Sequence, residues 1–156
     1  LSLVLGEFAD ELLIDQRMVD GVWQLVSSAA GFSATDSTTV SHESSRHGLS
    51  ELAKTWQVNF TADQGAIFLP HAPLPSGDFV VNGSTSRTHE TIVKSFSVST
   101  VTPLHHDAAC TAELRIVSGE LDGVHVSPRG TASVNIVFNA CGQDPTITLV
   151  TGPTAT

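Results

Sequence analysis

The sequence is poor in positive charge, and it contains no basic run at all. Across 156 residues, 7 Lys and Arg stand against 16 Asp and Glu, which gives a formal net charge of −9. Binding to a nucleic-acid backbone depends on clustered Lys and Arg that neutralise phosphates. We therefore expect no nucleic-acid partner.

Long apolar runs and closely spaced pairs of cysteines are also missing. No apolar stretch approaches the roughly 18 residues of a membrane-spanning helix. Two cysteines are too few for a disulfide-dense scaffold, and they lack the paired spacing of a zinc site. With 40% hydrophobic residues, the chain has the size and composition of one folded domain, residues 1–156.

The N-terminal segment shows a helical pattern, which predicts a long helix over residues 2–30. At about 100° per residue, its main apolar residues fall within one arc about 100° wide. These residues are Leu1, Val4, Leu5, Phe8, Leu12, Val19, Val22, Trp23 and Val26. Acidic residues lie early, where the helix dipole favours them, and Gly31 is placed to end the helix.

A second group of apolar residues lies on a flank of this helix, about 140° from the main stripe. The group consists of Leu3, Ile14, Met18 and Leu25. Two interpretations remain open: a loop of the same chain covers the flank, or the flank packs on a neighbouring subunit. In the second case these four residues are subunit-interface candidates.

The rest of the chain predicts a polar loop over 32–50, with one helical turn near 49–54, followed by a sheet region over 56–150. Apolar and polar residues alternate with period two, which is typical of an antiparallel sheet covered on one face. The alternating apolar residues are Trp56, Val58, Phe60, Phe96, Val98, Ala112, Leu114, Ile116, Ala132, Val134, Ile136, Phe138, Ile147 and Leu149. The fold class expected is α+β, with the helix packed on the sheet.

The two cysteines fit one hairpin of this sheet. If 111–117 pairs with 131–138, the turn falls near Asp122-Gly123, a turn signal. Cys110 and Cys141 then meet at the open end of the hairpin and are expected to form a disulfide, which implies an oxidising compartment. The alternative is two buried free thiols.

Residues that could carry chemistry are few. His42-Glu43 and His47 resemble a metalloprotease motif, but with one residue too many to share a helix face. His105-His106-Asp107 is a loop cluster that could bind a metal or serve a hydrolase, against the simpler interpretation of solvated histidines. No Gly-x-Ser-x-Gly elbow or phosphate loop occurs. We expect no metal, no cofactor and no enzyme activity.

Three stretches resemble type IV pilins of the type IVb branch. Residues 15–18 and 25–32 look like the helix end and Gly-aromatic exit of that family. Residues 96–98, Thr102-Pro103 and Cys110 are similar to the strand entering its first disulfide cysteine. Ala140-Cys141 with residues 146–149 looks like its second cysteine and closing strand.

This resemblance implies a structural subunit of an extracellular type IV pilus. Its partners would be other copies of itself and other pilus subunits. Before assembly, a segment preceding Leu1 would anchor the chain in the inner membrane. The alternative is a secreted or periplasmic binding domain, or a lipoprotein moiety, without catalytic activity.

Overall fold

Nine β-strands make up the regular structure of the described part of this chain. A computed structural model of the protein describes residues 2–10, 17–44, 48–69 and 71–152, and these residues contain no α-helix. The strands are β1 (Ser2–Asp10), β2 (Arg17–Ser28), β3 (Gly31–Ser44), β4 (Gly48–Ala62), β5 (Gly77–His89), β6 (Ile92–His106), β7 (Ile116–Ser127), β8 (Gly130–Phe138) and β9 (Thr146–Thr151).

The strands form one antiparallel meander, in which each strand pairs with the next along the chain. Connections therefore alternate between two ends of the sheet. One end, the hairpin end, carries the tight turns at 90–91 and 128–129; the other, the loop end, carries the longer connections 63–76, 107–115 and 139–145. No helix in the described ranges is long and apolar enough to cross a membrane.

The predicted N-terminal helix, and with it the α+β class, is wrong. β1 and β2 occupy that segment, and β2 pairs with β3 over its whole length. The apolar residues of β2 lie on both faces: Trp23 and Leu25 on one, Val22 and Val26 on the other. Apolar residues on both faces of a strand produce spacings of three and four, which mimic the helical pattern.

Without the helix, the predicted flank of subunit-interface candidates does not form. Leu3 and Leu25 are register partners on β1 and β2. Met18, 60% exposed, lies an odd number of residues from Leu25 on β2 and hence on the opposite face. Ile14 lies outside the described residues. Met18 and Leu25 therefore lie on opposite faces, and the described residues contain no helix flank on which the four candidates could lie together.

Two further boundaries are corrected. The predicted loop 32–50 and its helical turn are β3 and the start of β4, because Ser and Thr on the polar face of a strand are exposed without cost. Asp122-Gly123 is the middle of β7 and not a turn. The β7–β8 turn lies at Pro128-Arg129, and residues 111–115 form a connection.

The two faces of the sheet differ in composition, although both carry some apolar side chains. A row of register partners crosses the sheet from β2 to β9 and defines the apolar face: Trp23, Asp36, Trp56, Gly83, Val98, Gly123, Val134 and Leu149. The opposite face, the polar face, is rich in Ser, Thr and Asn, such as Ser33, Thr35, Asn59 and Ser84. Period-two alternation is confirmed, although no helix covers the apolar face in the described ranges.

The most buried side chains lie on the apolar face near the loop end. Phe60 is 2% exposed and Leu104 is 6% exposed. The ring of Phe60 lies 4.8 Å from that of Phe79 and 5.7 Å from that of Phe32, measured between centroids. Phe68, in connection 63–76, adds a ring 5.4 Å from Phe32 and closes this aromatic cluster.

The expected disulfide is confirmed. Cys110 and Cys141 are bonded, and they join connections 107–115 and 139–145 at the loop end. The bridge spans 31 residues of sequence and encloses β7 and β8. It therefore fixes the ends of the hairpin that lies next to the edge strand β9.

Removing this bridge should destabilise the protein strongly. For a loop of this length, the chain-entropy model assigns a disulfide about 3–4 kcal/mol. We expect the double variant Cys110→Ser/Cys141→Ser to lose about that much free energy of unfolding in urea titration. A variant that unfolds at the wild-type midpoint would show that the bridge is not part of the stabilising structure.

Aromatic rings on the apolar face lie over glycines of the neighbouring strand. A Cβ atom on Gly83 would collide with the indole of Trp56, which lies across it. A Cβ atom on Gly123 would meet the ring of Phe96 at 3.4 Å and Val134 at 2.8 Å. This arrangement lets a large ring bury one of its faces within a single layer.

The Trp56–Gly83 contact predicts the effect of one added methyl group. Gly83→Ala must displace the indole, and overpacking of this kind costs about 1–3 kcal/mol. We expect lower stability with a changed Trp fluorescence spectrum. The control Ser84→Ala, an exposed position next along β5, should stay within about 0.5 kcal/mol of wild type. Equal stability of the two variants would contradict the contact.

Candidate functional site

Basic side chains gather where the apolar face reaches the hairpin end. Arg87 on β5 faces Lys94 on β6 as a direct register partner, and His89 faces Ile92 one step closer to the turn. On the other side of β6, Phe96 faces His125 of β7. Since directly paired residues share a face, these side chains all belong to the apolar face.

Two hollows join these residues into one site. The larger has a volume of about 370 Å³ and is lined by Ile92, Lys94, His125, Ser127, Pro128 and Arg129. The smaller, of about 260 Å³, is lined by Arg87, His89, Ile92 and Lys94. They share Ile92 and Lys94, so Lys94 is the centre of the cationic site, as we call this region. The cationic site comprises Arg87, His89, Ile92, Lys94, His125 and Arg129.

The charge of the cationic site contrasts with that of the chain. Arg87, Lys94 and Arg129 are three of only 7 Lys and Arg, in a sequence with a net charge of −9. The ion pairs found among the described residues involve Lys54 and His105, and none includes Arg87 or Lys94. Like charges directly opposite on neighbouring strands destabilise a sheet. The Arg87–Lys94 pair is therefore an unfavourable contact in the absence of an anion.

One cation of the apolar face is neutralised. Lys54 pairs with Asp36, whose other oxygen accepts a hydrogen bond from Thr38 at 2.7 Å. Partial burial raises the pKa of Asp36, but the hydrogen bonds from Lys54 and Thr38 and the charge of Lys54 outweigh it. The pKa of Asp36 is therefore below its usual range.

The lowered pKa of Asp36 predicts a pH dependence of stability. A group whose pKa is depressed on folding contributes stability above its unfolded pKa, and this is lost as the pH falls through the folded value. At neutral pH, Asp36→Asn should cost about 0.5–1 kcal/mol, as expected for a partly exposed pair.

The matching measurement is unfolding of wild type and Asp36→Asn between pH 7 and pH 2. The difference should shrink below about pH 4, where the unfolded carboxylate begins to protonate. A difference that stayed constant down to pH 2 would show that the charge of Asp36 is irrelevant. Asp20→Asn, on β2, is a control for the loss of one exposed carboxylate.

Exposed apolar side chains continue the cationic site along the same face. Ile92 is 46% exposed and Phe96 is 36% exposed. Beyond them, the row through Val98 and Val134 leads to Leu149. The site is thus a cationic end on an apolar surface.

Two acidic residues of the neighbouring strand β7 lie on the other face. Glu120 and Asp122 of β7 project from the polar face, where the Asn135 amide donates hydrogen bonds to both, at 2.6 and 2.7 Å. Their charges are therefore directed away from the cationic site.

The histidines of the predicted loop cluster do not converge. His105 and His106 are consecutive in β6 and point to opposite faces. His105 Nδ1 lies 2.9 Å from Asp78 of β5, and His106 Nδ1 lies 3.1 Å from the Pro75 carbonyl oxygen. Asp107 instead accepts a hydrogen bond from the Ala109 amide at 2.8 Å.

The other candidate sites have fewer groups that could bind a metal or a charged ligand. The described ranges contain no group of three or more His, Cys, Asp or Glu side chains placed to hold a metal. His42 lies on β3, and its proposed partner His47 is outside the described residues. A hollow of about 380 Å³ beside the aromatic cluster has no ionisable side chain in its lining.

The cationic site escaped sequence analysis because the turn between β5 and β6, which brings Arg87 and Lys94 together, was not recognised. The available signal was symmetry: Arg87 and Lys94 are equally distant from Glu90-Thr91, where the chain turns. Glu-Thr is not a usual turn pair, and Glu90 adopts a φ of 53°, which is uncommon for a residue other than glycine. The hairpin that brings the two cations together was therefore not evident.

No protein-family model, curated protein or solved structure matches this chain. The resemblance to type IV pilins thus finds no support in these comparisons. It also loses its main structural feature, because the segment compared with the pilin helix forms β2.

Proposed function

We propose that this protein is a non-catalytic, extracytoplasmic binding domain whose ligand is a single-chain amphiphile with an anionic head group. The main observation that supports this proposal is the direct pairing of Arg87 with Lys94 at one end of an apolar surface. The disulfide between Cys110 and Cys141 supports the assignment to an oxidising compartment.

The head group would bind between Arg87 and Lys94. An anion placed there replaces a repulsive contact by two attractive ones, and hydrogen bonds to charged donors are the stronger kind. His125 and Arg129 line the adjoining hollow and offer further donors on the β7–β8 side. The free energy that the sheet loses through this repulsion is thereby recovered on binding.

The tail would lie on the exposed apolar side chains next to the head group. Ile92 lines both hollows, and Phe96 follows Lys94 on the same face of β6. A small inorganic anion would leave these side chains in water, whereas an alkyl chain would cover them. Each buried methylene group contributes about 0.8 kcal/mol. We therefore expect a ligand that combines an anionic head group with an alkyl tail.

Isothermal titration with sodium dodecanoate, kept below its micelle-forming concentration, tests this function. Dodecanoate should bind saturably, and Lys94→Gln should weaken binding about fivefold, since one exposed charge contact is worth about 1 kcal/mol. The control Arg115→Gln removes an exposed cation in connection 107–115 and should leave the affinity unchanged. Added salt should weaken wild-type binding.

Three comparison ligands separate the two halves of the proposal. Butyrate has the head group without the long tail, dodecyl maltoside is neutral, and dodecyltrimethylammonium is cationic. All three should bind more weakly than dodecanoate. Equal binding of butyrate would refute the apolar contribution, and equal binding of the other two would refute the charge contribution. Equal effects of Lys94→Gln and Arg115→Gln on affinity would show that dodecanoate does not bind at the cationic site.

The other expected function, a type IV pilus subunit, depended on a long N-terminal helix. β1 and β2 occupy the described part of that segment. No described element therefore supports this alternative.

A further inference from the structure

The edge strand β9 presents exposed apolar side chains. All of its residues are exposed, among them Ile147 at 63%, Leu149 at 68% and Val150 at 58%. Its register partners are residues of β8 alone. β9 thus has one side that no described element pairs with.

The hydrogen bonds of β9 reveal which backbone groups point outward. The Gly152 amide donates to the Thr131 carbonyl at 2.8 Å, directly continuing the register in which Thr151 faces Ala132. In an antiparallel pair, residues alternate between pointing toward the partner and pointing away. The even-numbered residues of β9 therefore bond to β8, and Ile147, Leu149 and Thr151 direct their N–H and C=O groups outward.

β9 also lacks the features that protect an edge strand from association. Edges are commonly blocked by Lys, by proline, by bulges or by inward-pointing charges. The sequence from Thr146 to Thr151 contains no charged residue, proline or glycine, and its register with β8 is regular. Pro145 lies immediately before the strand and limits the length available for pairing.

We propose that β9 pairs antiparallel with β9 of a second copy, about a two-fold axis through Leu149. In this register, Leu149 faces Leu149 of the second copy, and Ile147 faces its Thr151. The three outward residues of each copy then form three opposed pairs with two hydrogen bonds each, so that every outward group between 147 and 151 is satisfied.

A two-fold axis normal to the sheet keeps the faces matched. The apolar face of one copy continues into the apolar face of the other, and Ile147 and Leu149 of both copies meet there. Pairing removes part of the apolar surface of these side chains from water, which favours association. An isologous contact of this kind closes on itself at the dimer.

The charge pattern favours a second copy in spite of the net charge of −9. β9 is uncharged, and Asp144 is the nearest acidic residue on its N-terminal side. In the proposed register the two Asp144 residues are ten strand positions apart, or about 33 Å, well beyond the Debye length of about 8 Å at physiological salt. Self-repulsion is therefore screened at this edge.

Sedimentation velocity of the full chain over a concentration series tests the pairing. Wild type should shift from monomer to dimer as concentration rises. Leu149→Lys places two like charges opposite each other on the axis and should weaken the dimer at least about tenfold. The control Thr148→Lys adds the same charge to the same strand on the polar face, and it should still dimerise.

Amide hydrogen exchange supplies a second readout that needs no variant. The amides of Ile147, Leu149 and Thr151 should gain protection as concentration rises, whereas those of Thr148 and Val150 should be protected already in the monomer. A wild-type protein that stays monomeric at millimolar concentration would overturn the proposal. Equal weakening by the two lysine variants, or protection of the even-numbered amides only, would also overturn it.

Discussion

Cross-strand register holds this protein together, because the described residues form a single sheet without a second layer to impose order. Side chains alternate with period two, so a slip of one residue in any of the eight strand pairs would exchange the apolar and the polar face for every strand beyond it. The contacts that fix the register lie within the apolar face itself: Trp56 over Gly83, Phe96 over Gly123, and the phenylalanine cluster around Phe60. The disulfide secures the loop end, where this cluster lies.

The same register determines where charge accumulates. Arg87 and Lys94 meet because β5 and β6 pair symmetrically about Glu90-Thr91, while Glu120 and Asp122 are one position out of phase with Leu121 and His125 of β7 and point the other way. Asp36 does lie on the apolar face, and it is paired with Lys54. A chain with a net charge of −9 thereby carries a positive surface at one end of its apolar face. This separation is a property of strand pairing and not of local composition.

The sequence was informative where alternation was strict and one face was polar. β8, β9 and the strand through Trp56, Val58 and Phe60 were predicted on this basis, and so was the pairing of Cys110 with Cys141. It was misleading at β2, where Val22 and Val26 on the polar face complete a helical spacing with Val19 and Trp23. β3 was missed because its Ser and Thr residues resemble a loop, although they face solvent from a strand. The cationic site required the β5–β6 register, which depends on contacts that local periodicity does not record.

Exposed apolar surface is the common origin of both proposals, yet the two regions are separate. Lys94 lies on β6 and Leu149 on β9, three strands or about 14 Å apart across the sheet. Ligand binding at one and pairing at the other bury different residues, so their effects on stability should add. Pairing through β9 would also place two cationic sites on one continuous apolar face. Two anionic amphiphiles would then bind to the same side of the dimer, each at a site formed within one copy.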